Sequence, residues 1–186
     1  MPENIIKIIP NGTEIKSKVA LSSSSDQIII LFLGRVDIHH KGLDILVNSI
    51  LRITDYLIEN KVVLNIVGPY DSIKDQSYFD EMFRKHPKLN SVIKLLGPQY
   101  GDDKEKILSE CDIFIHTSRY EGMPMAVLEA MSKGKPCIVT LGTNMVDIVN
   151  KADTGFAVSN DPKIMSKELK DIIKIEKDEL IRKAIW

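Results

Sequence analysis

The sequence has no excess of charge of either sign. It carries 25 lysine and arginine residues against 26 aspartate and glutamate residues, which gives a formal net charge of −1. A protein that binds nucleic acid through its overall charge needs a positive field, and this composition does not provide one. Hydrophobic residues make up 44% and charged residues 27% of the 186 residues, as in ordinary globular proteins. The composition therefore predicts a soluble globular chain with one main domain.

The sequence also lacks the features of membrane and secreted proteins. No apolar run approaches the ~20 residues that a membrane-spanning helix needs. The first residues, MPENIIKIIPNGTE, do not form a signal peptide. Cys111 and Cys137 each lie at the edge of an apolar run, and we expect both to be reduced core residues without a disulfide. We therefore expect a cytoplasmic protein, in which any contact with the inner face of a membrane is made by parts outside this chain.

Short apolar runs alternate along the chain with longer amphipathic segments. The runs are typical of strands covered on both faces, and they lie at 27–33, 62–67, 91–96, 112–117, 136–140 and 155–158. Helical patterns lie at 42–59, 77–86, 103–111, 124–133, 162–177 and 178–185. This alternation predicts an α/β fold, a Rossmann-like doubly wound parallel sheet of about six strands with helices on both faces.

The predicted domain occupies residues 27–176. Residues 1–26 form a preceding segment that ends in a polar, serine-rich linker, and residues 177–186 form a C-terminal helix. Ligands of doubly wound folds bind beyond the carboxyl ends of the strands, so the loops that follow the strands are the candidate site.

The loop after the first strand holds Gly34, Arg35 and Lys41 just before a helix. Two cations beside a helix N-terminus suit an anionic ligand such as phosphate, although one such pair can equally be solvated surface charge. The neighbouring His39 and His40 have no third ligand at metal spacing, so we expect solvent-facing loop residues and no metal site.

Gly68 and Gly97 directly follow the second and third strands. A glycine at such a position either lets a ligand approach the backbone closely or simply makes the turn out of the strand.

The stretch EGMPMAVLE, residues 121–129, follows the fourth strand and begins a helix. Pro124 fits the first helical position, and Gly134 fits the left-handed position that ends a helix. The open N-terminus then forms a cradle of N–H groups that suits phosphate. These N–H groups belong to Gly122, Met123, Met125 and Ala126.

Two carboxylates lie on either side of this cradle. Glu121 precedes it at the rim, and Glu129 lies more than one turn inside the helix, on the same face as Met125. The deeper acid can accept hydrogen bonds from ribose hydroxyls while the rim acid orients a sugar, so the pair suits a nucleoside diphosphate-sugar. Taken singly, Glu129 can be a surface residue and Glu121 a capping acid. The whole pattern, with two cations on an earlier loop, favours the ligand site.

These motifs, in this order, resemble the C-terminal half of the group 1 glycosyltransferases, a family of retaining enzymes with the GT-B fold. The matching segments are IPNG (9–12), LGRVDIHHKGLD (33–44), LNIVG (64–68), IKLLG (93–97) and, most specific, CDIFIHTSRYEGMPMAVLEAMSKGKPCIVT (111–140). The resemblance covers nearly the whole chain and implies one Rossmann-like half of a GT-B fold. It implies transfer of a sugar from a nucleotide diphosphate-sugar to a glycan or lipid-linked acceptor, with retained anomeric configuration, in polysaccharide biosynthesis. It also implies that the transfer step needs no metal or other cofactor.

The resemblance implies roles for individual residues. Arg35 and Lys41 would hold the donor diphosphate and stabilise the leaving group. Glu121 would contact the sugar hydroxyls, and together with Arg35 and Lys41 it would form the set of catalytic residues. Glu129 would bind ribose. The base pocket would be lined by backbone around residues 95–97. The full donor-binding set is Gly34, Arg35, Lys41, Leu95, Leu96, Gly97, Glu121, Gly122, Met123, Pro124, Met125 and Glu129.

The chain also departs from the family. It opens at the turn that in the family follows the hinge into the C-terminal domain, so we expect the acceptor-binding N-terminal domain to be absent and this chain to be inactive alone. The family's C-terminal segment crosses back to the N-terminal domain, and we expect it to be truncated here. The stretch TLGTNMVDIV (140–149) has one glycine where the family has a glycine-rich loop, and Asp147 stands in the acid position. The contacts of that loop stay open.

Other functions are alternatives at this point. One is a non-catalytic Rossmann-like module that binds a nucleotide or a partner. Another is a related epimerase or phosphorylase, although a phosphorylase needs a pyridoxal-phosphate lysine that the sequence does not specify. A receiver-type regulatory domain needs an acidic pair after the first strand, where Gly34 and Arg35 stand instead.

Overall fold

The structure is a computed structural model that describes residues 11–13 and 26–175. The predicted serine-rich linker, apart from its last residues, and the predicted helix at 178–185 lie outside the described residues. None of the helices within the described ranges is both long and apolar enough to cross a membrane.

Within residues 26–175, six parallel strands form a single sheet. They are β1 (Ile28–Leu33), β2 (Val62–Val67), β3 (Ile93–Gly97), β4 (Ile113–His116), β5 (Cys137–Thr140) and β6 (Gly155–Val158). Their order is β3-β2-β1-β4-β5-β6, and every neighbouring pair is parallel. The predicted α/β fold class is therefore confirmed.

Eight helices lie along residues 26–175. They are α1 (Leu43–Arg52), α2 (Thr54–Glu59), α3 (Ile73–Lys85), α4 (Leu89–Val92), α5 (Gly101–Glu110), α6 (Met125–Ser132), α7 (Val146–Lys151) and α8 (Pro162–Ile173). A 3-10 turn, Leu141–Thr143, follows β5.

The helices cover both faces of the sheet, and β1 shows how. Side chains alternate between the faces of a strand, so Ile30 and Phe32 pack with the cluster that α1 to α4 and α8 bury. Leu31 and Leu33 pack with the opposite cluster, formed with α5, α6 and α7. Burial on both sides explains why the strand is a continuous apolar run.

The two cysteines belong to the second of these clusters. Cys111 and Cys137 are both fully buried and free, as predicted. Burial raises the pKa of the Cys111 thiol to about 12, and it raises the pKa of Cys137 as well. Both thiols are therefore inert core groups at neutral pH.

Several helix ends differ from the prediction for local reasons. The predicted helix 42–59 is two helices that break at Ile53, because the Thr54 hydroxyl donates to the carbonyls of Ile50 and Leu51. Helix α3 begins four residues earlier than predicted, because the side chain of Ser72 caps it.

Two short helices escaped prediction. Helix α4 occupies residues 89–92, so β3 begins at Ile93 and not at residue 91. Helix α7, which contains Asp147 in its first turn, follows Asn144 in the left-handed conformation.

Helix α8 ends at Ile173, before the predicted end at residue 177.

The strand order places one crevice at a defined point. Strands β1 and β4 are neighbours, and the chain runs outward from this pair in opposite directions, first to β2 and β3 and later to β5 and β6. At such a switch point the loops beyond the carboxyl ends lead to opposite faces of the sheet and leave a crevice between them. The loops after β1 and β4 therefore bound the candidate site.

Candidate active site

The loop after β1 and the loop after β4 are in direct backbone contact. The N–H of Arg119 donates to the carbonyl of His40 at 2.9 Å, and the Thr117 hydroxyl donates to the carbonyl of Lys41 at 3.0 Å. Gly42 has φ 63°, and a Cβ there would lie 2.2 Å from the carbonyl oxygen of Thr117. Only glycine lets the two loops approach this closely.

Side chains strengthen the contact. The Arg119 guanidinium donates to both carboxylate oxygens of Asp44 at 2.7 Å, and its Nη1 also donates to the carbonyl of His39 at 2.5 Å. The His40 ring stacks on Tyr120 with centroids 4.5 Å apart. His39 is exposed as predicted, but His40 is half-buried and not solvent-facing, because Tyr120 covers it.

The two loops bring Lys41 and Glu121 together across 80 residues of sequence. Lys41 Nζ lies 2.5 Å from Glu121 Oε1, and the side chains are only 14% and 15% exposed. The same oxygen accepts from the Ser118 hydroxyl at 2.9 Å and contacts His116 Nε2 at 3.2 Å. Hydrogen bonds from His116, then from Lys41 and Ser118, hold the pKa of Glu121 well below its ordinary value, although partial burial opposes them. Glu121 is therefore an ionised carboxylate that is largely shielded from water.

The two predicted cations have different partners. Arg35 donates to Asp71 Oδ1 at 2.6 Å, and its side chain is 51% exposed. Asp71 follows β2, so this pair joins the loops after β1 and β2. The structure places Arg35 on the same edge of the sheet as Lys41 without giving it a contact to Glu121.

Helix α6 opens onto the crevice. Pro124 is the N-cap residue, with φ −71° and ψ 116°, so the helix begins at Met125, one residue later than predicted. The first N–H groups of a helix have no partner within it, which leaves those of Met125 and Ala126 for a ligand. Gly134, with φ 64°, follows the end of the helix as predicted.

The turn before α6 is tied down through its carbonyls. The carbonyl of Gly122 accepts from the side chain of Asn144 at 3.0 Å, and that of Met123 accepts from Asn11 at 3.3 Å. The loop whose contacts the sequence left open thus packs against the turn, through Asn144. Asp147 is exposed.

Glu129 lies inside α6 beside a lysine of α5. Its Oε1 accepts from Lys104 Nζ at 2.8 Å, and the two side chains are between one quarter and one third exposed. Met125, on the same face, is 42% exposed. The carboxylate is therefore accessible and paired, in the way that a hydroxyl-binding acid needs to be.

A cavity of about 280 Å³ lies beside the loops after β2 and β3. Of the three residues predicted to line a base pocket, Leu95 and Gly97 line this cavity, whereas Leu96 is 40% exposed and does not. That a nucleobase binds here stays a prediction. The remaining lining residues are Val36, Ile66, Gly68, Pro69, Tyr70 and Pro98.

The backbone of Gly34 explains the glycine that follows β2. The Gly34 N–H donates to the carbonyl of Val67 at 2.9 Å, and a Cβ on Gly68 would lie 1.8 Å from the Gly34 carbonyl oxygen. The close neighbour of Gly68 is thus another loop of this chain.

Three residues of the site, His116, Ser118 and Lys104, were not predicted from the sequence. His116 ends an otherwise apolar strand and Ser118 lies three residues before Glu121, a spacing that could have drawn attention to both. Lys104 carries no such signal, because only the packing of α5 on α6 brings it to Glu129. Among the described residues, no three histidines, cysteines or acids gather as a metal-binding group.

Comparison with known proteins identifies a family. A family model described as "Glycosyl transferases group 1" matches residues 27–174, most of the chain. The chain is 29% identical over 170 residues to the UDP-Gal:alpha-D-GlcNAc-diphosphoundecaprenol alpha-1,3-galactosyltransferase of Escherichia coli. It is 25% identical over 170 residues to an uncharacterized glycosyltransferase of Methanocaldococcus jannaschii. These alignments cover 82% and 84% of this chain but only 41% and 42% of the two relatives.

Solved structures share the fold. WaaG, a glycosyltransferase involved in lipopolysaccharide biosynthesis, aligns with a TM-score of 0.72 at 16% identity, over 87% of this chain and 41% of that one. Anabaena Alr3699/HepE, solved in complex with UDP and glucose, aligns with a TM-score of 0.69 at 20% identity, over 86% of this chain and 42% of that one.

Proposed function

The chain belongs to the group 1 glycosyltransferases, and on this premise we propose that it is the donor-binding domain of an enzyme that transfers a sugar from a nucleotide diphosphate-sugar. One observation carries the proposal: the loops after β1 and β4 bring Lys41 and Glu121 into contact at the switch point of the sheet, beside the open N-terminus of α6. A cation, an ionised acid and free N–H groups at one crevice suit a ligand with both phosphate and sugar hydroxyls.

The donor would extend along the carboxyl edge of the sheet. The nucleobase would occupy the cavity lined by Leu95 and Gly97, and the ribose hydroxyls would donate to Glu129, further along. The diphosphate would meet the N–H groups of Met125 and Ala126. The sugar would then lie against Glu121.

The same groups favour departure of the diphosphate. Negative charge grows on the leaving oxygen as the bond to the sugar breaks, and fixed positive charge near that oxygen stabilises the transition state. Lys41 and the N-terminal end of α6 supply such charge, and Arg35 adds a mobile, exposed cation. We propose that this set replaces a metal ion in the transfer step.

The remaining steps belong to the whole protein. The chain spans about two fifths of the length of the relatives above. We therefore propose that the acceptor site belongs to a longer protein that contains this domain. We propose transfer with retained configuration onto a glycan or lipid-linked acceptor, at the cytoplasmic face of a membrane, with this chain inactive alone. The lipid-linked substrate in the name of the Escherichia coli relative supports the acceptor class.

Calorimetric titration with UDP, GDP, ADP and TDP tests the proposal. We expect one diphosphate to bind, with an affinity that a chelator does not change. Lys41→Ala should cost about 1–3 kcal/mol of diphosphate affinity, as for a charge-assisted contact, while leaving binding of the bare nucleoside unchanged. Glu129→Ala should weaken binding of the diphosphate and of the nucleoside alike.

Lys88→Ala is the matched control, because Lys88 directly precedes α4 and β3 and lies at the amino end of the strands. Failure of all four diphosphates to bind, or equal effects of Lys41→Ala and Lys88→Ala, would contradict the donor site. If the nucleotide diphosphate-sugar binds no more tightly than the same diphosphate, a non-catalytic nucleotide-binding module would be favoured.

A further inference from the structure

Glu121 is held by one of its two carboxylate oxygens. Lys41, Ser118 and His116 all contact Oε1, at 2.5, 2.9 and 3.2 Å. Within residues 26–175 and 11–13, no hydrogen bond or ion pair reaches Oε2. Three donors on one oxygen fix the plane of the carboxylate and leave its other oxygen with unused acceptor capacity.

The His116 ring is clamped in the core behind this carboxylate. Its side chain is 2% exposed, and it lies nearly parallel to Phe32 and Phe114, with centroids 5.7 and 6.3 Å away. Both phenyl rings belong to strands, β1 and β4, so the neighbours of the imidazole are parts of the sheet itself. Its Nε2 therefore points at Glu121 as a fixed feature of the fold.

The contacts of His116 determine which nitrogen carries the proton. An ionised carboxylate only accepts, so Nε2 must carry the hydrogen toward Glu121. Nδ1 is buried and has no partner among the described residues, so a proton there would be an unsatisfied buried donor. Burial lowers the pKa of His116, and the nearby Lys41 ammonium acts in the same direction, against the opposing effect of Glu121. The ring is thus neutral, with its hydrogen on Nε2.

Ser118 completes the arrangement. Its side chain is fully buried, and its hydroxyl donates to Glu121 Oε1 while its oxygen lies 3.1 Å from His116 Nε2. The Ser118 oxygen accepts a hydrogen bond from the Nε2–H group, which is shared with Glu121, and the Ser118 hydroxyl donates its own hydrogen bond to the carboxylate. The serine is therefore oriented by the histidine and acts on the same oxygen.

We propose that His116 and Ser118 are positioning residues, which fix Glu121 through Oε1 and present Oε2 to a hydroxyl of the donor sugar. The presentation to a sugar rests on the proposed function, whereas the anchoring does not. A loop glutamate otherwise samples several rotamers, and an acid that must meet one hydroxyl gains precision when buried neighbours hold it.

The anchoring is tested first on the chain without a ligand. Long-range proton–nitrogen correlation spectra of histidine-labelled protein should show His116 with hydrogen on Nε2 from pH 5 to pH 8. An Nδ1–H form, or a titration midpoint near the ordinary value of about 6.5, would overturn the assignment.

Two substitutions at His116 separate anchoring from packing. The amide nitrogen of glutamine can take the place of Nε2, whereas that of asparagine reaches only as far as Nδ1. We expect His116→Asn to raise the pKa of the Glu121 carboxyl, followed by carbon NMR, by roughly 1–2. His116→Gln should restore most of the difference. Equal effects of the two would indicate a packing role only.

Ser118→Ala provides a second variant that removes one donor with little change in volume. It should also raise the pKa of Glu121, and an unchanged value would overturn the role of Ser118. Amide spectra of each variant establish that the fold is intact.

The presentation of Oε2 is tested by comparing a nucleotide diphosphate-sugar with the same diphosphate. We expect His116→Asn and Ser118→Ala to reduce the contribution of the sugar to affinity by about tenfold while leaving diphosphate affinity unchanged. Equal loss for both ligands would overturn the role in sugar recognition. If neither ligand binds, the proposed function and the presentation both fail, and the spectra still decide the anchoring.

Discussion

Replacing Lys41 by methionine removes the cation from a pair that is largely shielded from water. Lys41 Nζ lies 2.5 Å from Glu121 Oε1, and the two side chains are 14% and 15% exposed. Methionine retains most of the apolar stem, so the change is confined to a charge and a hydrogen bond. Ser118 and His116 continue to contact the carboxylate.

The cost follows from the burial of the pair. Removing one partner of a fully buried ion pair costs about 3–5 kcal/mol, and a hydrogen bond to a charged group contributes about 1.5–3 kcal/mol. Because Glu121 keeps two contacts and some exposure to water, we expect a loss of about 2–3 kcal/mol in the free energy of unfolding at pH 7.

The loss should depend on pH in a defined direction. The pKa of Glu121 is lowered in the folded protein, so its stabilisation is present above the unfolded value of about 4.3 and disappears as the pH falls through the folded value. Without Lys41 the folded pKa of Glu121 is higher. The difference in stability between the wild type and the variant should therefore narrow once the pH falls below the pKa of Glu121 in the variant.

Urea unfolding followed by circular dichroism, at pH 7 and at several acidic values, measures these differences. Lys88→Met is the control, because Lys88 lies 2.8 Å from Asp55 but both side chains are 71% exposed. Such a pair contributes nothing measurable to stability in many proteins, and we expect no change. Equal destabilisation by the two substitutions, or a loss at Lys41 that does not become smaller in acid, would show that the shielded Lys41–Glu121 pair does not stabilise the fold in this way.

Two further predictions concern the loops and the core. An alanine in the left-handed conformation costs about 1–2 kcal/mol. Gly42→Ala should lower the free energy of unfolding by clearly more than this, because its Cβ would lie 2.2 Å from the Thr117 carbonyl oxygen. Gly101→Ala, where φ is 54° and the space around the Cβ is open, should show the conformational cost alone in the same urea assay. Cys111 and Cys137 should not react with a thiol reagent at pH 8 in the native protein and should both react in urea, since both are buried; fast native labelling would contradict this placement.

The architecture was predictable because both faces of the sheet are covered. Burial on both sides makes each strand a nearly continuous apolar run, and each of the six runs predicted to be strands within residues 27–158 contains a strand. The ends of the helices were not predictable in the same way. Ser72 and Thr54 determine two of these ends through side-chain hydrogen bonds to the backbone. The free energy of one such bond is similar to the differences in helix propensity between residues, so neither dominates in the sequence.

The candidate site was predictable as a set of loops but not as a set of contacts. The pattern from Glu121 to Glu129 indicates an open helix N-terminus, and α6 begins there. That Glu121 pairs with Lys41 and Glu129 with Lys104 depends on how strands and helices are ordered in space. For the same reason the role of His116 was not predicted, because the partner of a buried histidine can be identified only when the fold of the following loop is known.

We expect a nucleotide diphosphate to bind at the carboxyl edge of the sheet, between the loops after β1 and β4. Amide proton and nitrogen shifts recorded while the chain is titrated with the diphosphate test it most directly. The largest changes should fall on Lys41, Gly97, Met125 and Ala126, with residues 85–88 at the opposite edge unaffected. Changes centred on residues 85–88, or no changes with any diphosphate, would contradict it.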